Sequence, residues 1–111
     1  MTVTVVRYRS KPDRADENQA LIEQVFAELD AARPEGLRYA SFRLADGVSF
    51  VHIAEVDTDD GTNPLTRTPA FAAFVRDVAD RCDEAPVASE ATLVGSYPDR
   101  SLHRIVNHGP T

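Results

Sequence analysis

The chain has 111 residues, of which 42% are hydrophobic and 27% charged, and its formal net charge at pH 7 is -6. This length predicts one domain with a modest core. The acidic balance disfavours a general nucleic-acid binder, because phosphate backbones attract basic surfaces. The single cysteine, Cys82, excludes an intramolecular disulfide and indicates a reducing, cytoplasmic compartment. No stretch approaches the roughly 20 apolar residues of a membrane span, and the first residues do not resemble a signal peptide.

The first third of the chain predicts a strand followed by a helix. Residues 2–9, TVTVVRYR, are rich in β-branched and aromatic side chains, which favours a strand. Asp13 is then expected to cap a helix. Asn18 is expected to lie off the apolar face of that helix, together with Glu23, Gln24 and Glu28. The apolar face itself recurs at helical spacing and comprises Leu21, Ile22, Val25, Phe26 and Leu29.

Residues 37–56, LRYASFRLADGVSFVHIAEV, predict a β-hairpin. Asp46-Gly47 is the strong signal for a two-residue type I′ turn, which fixes the register of the two strands. In that register Ser41 lies opposite His52. Arg38 lies opposite Glu55, a favourable charge pair that a one-residue slip would lose.

The last part of the chain predicts a second helix and a fourth strand. Thr68-Pro69 is a good N-cap and first-turn pair. Apolar residues at helical spacing then predict a helix that ends with Cys82 as its last buried residue, with Pro86 closing it off. Residues 87–97 predict the last strand, and residues 98–111 a C-terminal tail or arm that docks on a partner subunit.

The element order β-α-β-β-α-β predicts the ferredoxin-like fold, an α+β sandwich in which a four-stranded antiparallel sheet carries both helices on one face. Residues 1–97 would form this single domain. The hairpin face with Phe42, Leu44, Val51 and Ile53 is expected to meet the helices. The opposite face, which carries His52, also holds a large apolar patch that needs a cover. A second copy of the chain is the simplest cover, so a homodimer that closes an α/β barrel is expected.

The run FVHIAEV followed by NPLTRTPAFAAF, with the element order and length, resembles the dimeric α/β-barrel superfamily, in particular its antibiotic-biosynthesis-monooxygenase-like branch. The resemblance covers about residues 2–97. Glu55 occupies the acidic strand position of that family, and residues 68–71 match the start of its second helix. Leu65 stands where members often have a histidine, and the chain has no tryptophan. The resemblance implies a cofactor-independent oxidation.

His52 is the candidate catalytic base, because the ordinary pKa of histidine, near 6.5, suits proton transfer. A histidine that is hydrogen-bonded within a dimer interface is the alternative. Arg43 is the candidate for binding a carboxylate or an enolate, with a surface role at the hairpin tip as its alternative. The predicted substrate-binding residues are Tyr39, Ser41, Arg43, Phe50, Phe71 and Phe74. The spacing of the three histidines predicts no metal site, and no cofactor-binding motif is present.

Two functions follow as hypotheses. The first is a cytoplasmic homodimeric monooxygenase-like enzyme, an oxidoreductase without a cofactor, acting on a small aromatic or polyketide-like substrate. The second is a non-catalytic dimeric barrel that binds a small hydrophobic ligand or serves a stress response. An RNA-recognition module shares the element order, but Asp46 and Val48 stand where its third-strand signature requires a basic and an aromatic residue.

Overall fold

A computed structural model describes residues 1–97 and confirms the ferredoxin-like fold. Four strands form one antiparallel sheet in the order β2-β3-β1-β4, with two helices on one face. The strands are β1 (Thr2–Ser10), β2 (Leu37–Arg43), β3 (Ser49–Val56) and β4 (Cys82–Ala91), and the helices are α1 (Ala15–Ala32) and α2 (Pro69–Arg76). Short 3-10 turns span Pro12–Arg14, Pro64–Arg67 and Ala79–Arg81. The predicted tail, residues 98–111, lies outside the described residues. No helix in the described part of the chain is long and apolar enough to cross a membrane.

The predicted hairpin register is confirmed, whereas the predicted turn type is wrong. β2 and β3 pair Ser41 with His52 and Arg38 with Glu55. The turn is closed by a hydrogen bond from the Gly47 amide to the Leu44 carbonyl, and Gly47 alone has a positive φ, 79°. A type I′ turn needs positive φ at both central residues. Asp46 instead accepts hydrogen bonds from the amides of Val48 and Ser49, which hold the loop.

The two helices differ from their predicted ends. Asp13 lies in the 3-10 turn that precedes α1, and its side chain caps no helix. Thr68 caps α2 as predicted, because its hydroxyl accepts a hydrogen bond from the Phe71 amide. α2 ends at Arg76, however, and the chain makes a 3-10 turn before Cys82 begins β4.

Pro86 lies within β4 rather than closing a helix, and the strand covers residues 82–91 instead of 87–97. β4 is an edge strand, since it pairs with β1 alone. Proline is tolerated at such an edge, because the missing amide proton faces no neighbouring strand.

The predicted assignment of the two sheet faces is wrong. Phe50 is 1% exposed and lies in the core beneath the helices, together with Tyr8 and His52. Phe42 is 46% exposed on the opposite, open face. Both faces of the hairpin are apolar, so its pattern alone does not decide which one meets the helices. The buried side chains that fill the core are Tyr8, Ala15, Ile22, Val25, Phe50, Leu65, Ala70, Phe74 and Cys82.

Candidate functional site

The sheet face beneath the helices carries a buried cluster around His52. His52 comes from β3 and is 4% exposed. Its Nε2 lies 2.8 Å from the hydroxyl of Tyr8 on β1. Its Nδ1 lies 2.7 Å from the hydroxyl of Ser41 and 2.8 Å from that of Tyr39, both on β2. Three adjacent strands therefore surround one imidazole with three hydroxyl groups.

The cluster continues from Tyr8 into the helices. The amide nitrogen of Asn18, on α1, donates to the Tyr8 hydroxyl at 2.8 Å. The Nε of Arg81, in the turn before β4, donates to the Asn18 side-chain oxygen at 3.1 Å. Asn18 is fully buried and Arg81 is 2% exposed. A continuous chain of hydrogen bonds thus runs from a buried guanidinium to His52.

Burial shifts the pKa values of the cluster towards the neutral forms. The pKa of His52 falls to about 4, because desolvation disfavours the imidazolium. Desolvation likewise raises the pKa of Tyr39 to about 12 and raises that of Tyr8 further. At neutral pH the imidazole and both phenols are therefore uncharged, and Arg81 is the charged member.

The aromatic side chains around the cluster pack as face-to-face or tilted pairs. The ring of Tyr8 stacks on that of Phe50 with centroids 5.4 Å apart. Phe74, on α2, lies 5.5 Å from the His52 ring, and its carbonyl accepts a hydrogen bond from Arg81. These rings fix the orientation of the imidazole and exclude water from it.

Tyr39 is the member of the cluster that also faces open space. It lines a groove of about 680 Å³ that wraps around the free edge of β2 beside the C-terminal end of α1, with Tyr39 and Phe26 on the helix side and Ala40 and Ile53 on the open face of the sheet. Phe26 stacks on Tyr39 with ring centroids 5.2 Å apart and also lines this groove. The apolar side chains of the groove are Phe26, Leu29, Leu37, Ala40 and Ile53, and its charged rim comprises Asp30, Arg33, Glu35, Arg38 and Glu55.

The structure brings together most, but not all, of the predicted site residues. Tyr39 and Ser41 contact His52, as their predicted shared strand face requires. Phe50 and Phe74 pack behind the cluster, and Phe71 packs on Phe74.

Arg43 points elsewhere, although it shares the same strand face. Its guanidinium donates to the side chains of Asp16 and Gln19 on α1 and to the carbonyl of Gly47. These contacts pin the hairpin tip to the start of the helix, which is the surface role considered as its alternative.

Three residues of the cluster were not predicted from the sequence: Tyr8, Asn18 and Arg81. Asn18 lies four residues before Ile22 and seven before Val25, so its spacing places it on the buried face of α1. Because asparagine is polar, Asn18 was instead predicted to lie off the apolar face. Arg81 escaped because the predicted helix ran through its position.

Within the part of the chain that the structure describes, the open face of the sheet has no polar cluster of this kind. Its apolar side chains include Val5, Phe42, Val51, Ile53 and Val87, and Val87 is 62% exposed. A shallow hollow of about 560 Å³ lies there beside Arg7 and Ser89. No group of three or more potential metal ligands occurs among residues 1–97.

This arrangement defines a ferredoxin-like α/β protein with a buried polar site beneath its helices. Several solved structures share the fold, and some of them carry the name antibiotic biosynthesis monooxygenase. Rv0793 from Mycobacterium tuberculosis superposes with a TM-score of 0.69 at 15% sequence identity, over 86% of this chain and 97% of that one. A Nitrosomonas europaea protein with the provisional name antibiotic biosynthesis monooxygenase gives 0.69 at 20% identity, over 83% and 97%.

A third similar structure is an asparagine-to-alanine mutant of SnoaB, a cofactor-independent oxygenase from Streptomyces nogalater. It superposes with a TM-score of 0.65 at 19% identity, over 88% of this chain and 97% of that one. No protein-family profile matches the chain. No curated protein matches it in sequence either. At these identities the structural similarity establishes the fold alone.

Proposed function

We propose that this protein is a cofactor-independent monooxygenase that acts on a small aromatic or polyketide-like substrate. The observation that carries the proposal is the contact between Tyr39 and His52. Tyr39 contacts the buried imidazole and also lines the open groove, so it connects a group that can transfer protons with a space for a ligand. The fold shared with an oxygenase of this type supports the same conclusion.

The reaction needs no group other than the substrate, O2 and the protein. A methylene carbon between a carbonyl group and aromatic rings loses a proton to give a carbanion, which passes an electron to O2. In the net reaction the CH2 group and O2 become a C=O group and H2O. The substrate is the reductant and O2 the oxidant, so the protein has only to bind the substrate and move protons.

His52 acts in this proposal through Tyr39 and Ser41, as the group that returns a proton to Tyr39 rather than as the predicted base. Both imidazole nitrogens already contact hydroxyl groups, and His52 does not line the groove. As the substrate loses its carbon-bound proton to solvent, Tyr39 donates its own proton to the carbonyl oxygen and regains one from the imidazole. The imidazole recovers a proton from solvent through the same hydroxyl when the product leaves, so a closed-off histidine still participates. Phe50, Phe71 and Phe74 support the site from behind. Arg43 is left out of the proposed site, because α1 and the hairpin turn hold its guanidinium.

The test is oxygen uptake with a panel of anthrones and quinols. The native protein should consume O2 with at least one of them. A His52→Ala variant should turn over at least about 100-fold more slowly, since a positioned acid-base group contributes about that much or more. Equal rates for the two proteins would show that His52 takes no part in the reaction.

We further propose that the protein works in the cytoplasm as a homodimer. The open sheet face exposes Phe42, Leu44 and Val87, an apolar surface that a second copy of the same face would cover. The dimer contact is therefore the face opposite to His52, because the helices already cover the imidazole side. Light scattering tests this. The chain has a mass of 12.2 kDa, and the expected result is about twice that mass.

A second candidate function is ligand binding without catalysis. The closed environment of His52 favours it, since neither imidazole nitrogen is free for a substrate. In this case an aromatic ligand would bind in the groove, and no O2 would be consumed. Binding of an anthrone with no oxygen uptake above the buffer rate would select this alternative.

A further inference from the structure

The hydrogen-bond chain that ends at His52 has a direction, and its first member sets that direction. The guanidinium of Arg81 has only N–H donors, so the Asn18 atom that it contacts is the side-chain oxygen. This fixes the orientation of the Asn18 amide, and its NH2 group therefore faces the Tyr8 hydroxyl and donates to it.

The same reasoning extends to the imidazole. The Tyr8 oxygen already accepts from Asn18, and its own proton has one further polar neighbour among the described residues, Nε2 of His52 at 2.8 Å. If Nε2 also carried a proton, the buried Tyr8 proton would have no acceptor, and buried polar groups are rarely left in that state. Tyr8 therefore donates to Nε2.

We propose that Arg81, acting through Asn18 and Tyr8, places the single proton of neutral His52 on Nδ1 and thereby leaves the Tyr39 proton free for an acceptor other than the imidazole, either Ser41 or an oxygen of a ligand in the groove. Nδ1–H donates to the Ser41 oxygen or the Tyr39 oxygen, so neither hydroxyl spends its own proton on the imidazole. In the opposite tautomer Nδ1 would accept a proton from Ser41 or Tyr39, and the Tyr39 hydroxyl would then compete for the imidazole instead of serving a ligand. Arg81, Asn18 and Tyr8 are then positioning residues.

The proposal specifies the chemistry that Tyr39 recognises. A donor at the wall of an apolar, aromatic-lined groove fits the carbonyl or enolate oxygen of a flat aromatic ligand. This part rests on the proposed function for the identity of the occupant. The tautomer of His52 does not, because it is a property of the protein without substrate.

Long-range ¹H–¹⁵N spectra of the uniformly ¹⁵N-labelled protein at neutral pH distinguish the two tautomers. The His52→Gln variant assigns the signals, since it lacks only those of His52. The native protein should show a protonated Nδ1 and an unprotonated Nε2. The reverse pattern would overturn the proposal without reference to any activity.

Asn18→Asp reverses the chain with little change in shape. The new carboxylate accepts from Arg81 and also accepts the Tyr8 proton, so the Tyr8 oxygen must accept from Nε2–H and the His52 proton should move to Nε2. Retention of the native tautomer would contradict the role of Asn18. Tyr8→Phe provides a second variant, in which the Nδ1–H form should lose its predominance. Ser10→Ala is the matched control, since it removes a buried hydroxyl that bonds the Val48 carbonyl outside the chain.

Binding of 1,8-dihydroxyanthraquinone, which carries carbonyl oxygens but cannot be oxidised in this way, tests the ligand class. Tyr39→Phe should weaken binding about tenfold in the native background, since a hydrogen bond contributes about that factor, and should have a smaller effect in the Asn18→Asp background. An equal loss of affinity in both backgrounds would show that the hydrogen-bond chain from Arg81 to His52 does not affect Tyr39, and would overturn the coupling. Failure of the native protein to bind would reject the carbonyl class. Absence of oxygen uptake, by contrast, would reject the proposed function and leave the tautomer assignment standing.

Discussion

The hydroxyl of Tyr8 lies 2.8 Å from Nε2 of His52, on the neighbouring strand of the same sheet face. Tyr8 and His52 are 5% and 4% exposed, so this hydrogen bond forms away from water. It links the imidazole to the helices through Asn18 and thereby ties the candidate site to the fold itself. Stability measurements should therefore report on the site as directly as activity measurements do.

Substitution of Tyr8 by phenylalanine should destabilise the protein by about 1 to 3 kcal/mol, because it leaves the Asn18 amide and His52 Nε2 buried without their partner. Urea denaturation measures this free energy of unfolding. Tyr97→Phe is the matched control, since Tyr97 is 90% exposed and should tolerate the change without measurable effect. Equal stabilities for the two variants would show that the buried hydrogen bonds contribute nothing.

The free energy of unfolding should decrease as the pH is lowered, over the pH range in which His52 gains a proton. Burial lowers the pKa of His52 from 6.5 to about 4 in the folded protein, so the unfolded chain binds this proton more readily. Stability from this group is therefore fully present above pH 6.5 and is lost as the pH falls from 6.5 to about 4. The total loss is about 3 kcal/mol, since each pKa unit corresponds to 1.36 kcal/mol.

His52→Gln isolates this contribution, because glutamine stays neutral throughout the window. Denaturation curves at several pH values should show a flatter pH dependence for the variant than for the native protein between pH 6.5 and 4. Parallel curves would mean that the His52 pKa is unshifted by folding. The other titratable side chains in contact with His52 are Tyr8 and Tyr39, whose pKa values lie far above this window.

The proposed dimer predicts an asymmetry between two exposed apolar residues. Phe42 lies on the open sheet face and is 46% exposed, whereas Val75 lies on α2 and is 42% exposed. Phe42→Asp should convert a dimer into a monomer in light scattering, because two copies of the new charge would be buried in the contact. Val75→Asp should leave the mass unchanged. Loss of the dimer with both variants, or with neither, would place the contact elsewhere.

Gly36 should be far less tolerant of alanine than Gly61. Both have a positive φ, 78° and 74°, which strains any residue with a Cβ. A Cβ at Gly36 would also lie 2.6 Å from the Asp57 carbonyl oxygen, whereas a Cβ at Gly61 would meet nothing within 4 Å. Gly61→Ala should therefore cost about 1 kcal/mol, and Gly36→Ala distinctly more, in thermal or urea unfolding. Equal costs would show that β2 shifts to relieve the contact.

The sequence predicts the fold and the hairpin register because these depend on local signals. The Asp46-Gly47 turn and the Arg38–Glu55 match fix which residues lie opposite each other, and the structure has that pairing even though the turn type differs. The choice of face does not follow from such signals, since Phe42 and Phe50 are equally apolar. It depends on which face the helices cover, and Tyr8 and Phe50 fill that space.

The candidate site was predictable in part for the same reason. Tyr39, Ser41 and His52 come together through strand pairing, which the hairpin register fixes. Asn18 and Arg81 join them through tertiary packing, in which a buried amide and a buried guanidinium satisfy each other. The sequence predicts surface positions for such polar residues, because the partner that satisfies each of them is 63 residues away in the chain.

The most direct test of the proposed enzyme is the rate of O2 consumption with 1,8-dihydroxyanthrone, measured for the native protein, Tyr39→Phe and Tyr97→Phe. Tyr39 is the residue that joins His52 to the groove, so Tyr39→Phe should slow the reaction by about 100-fold or more. Tyr97→Phe should match the native rate. A Tyr39→Phe variant that consumes O2 as fast as the native protein would contradict the assignment of this site.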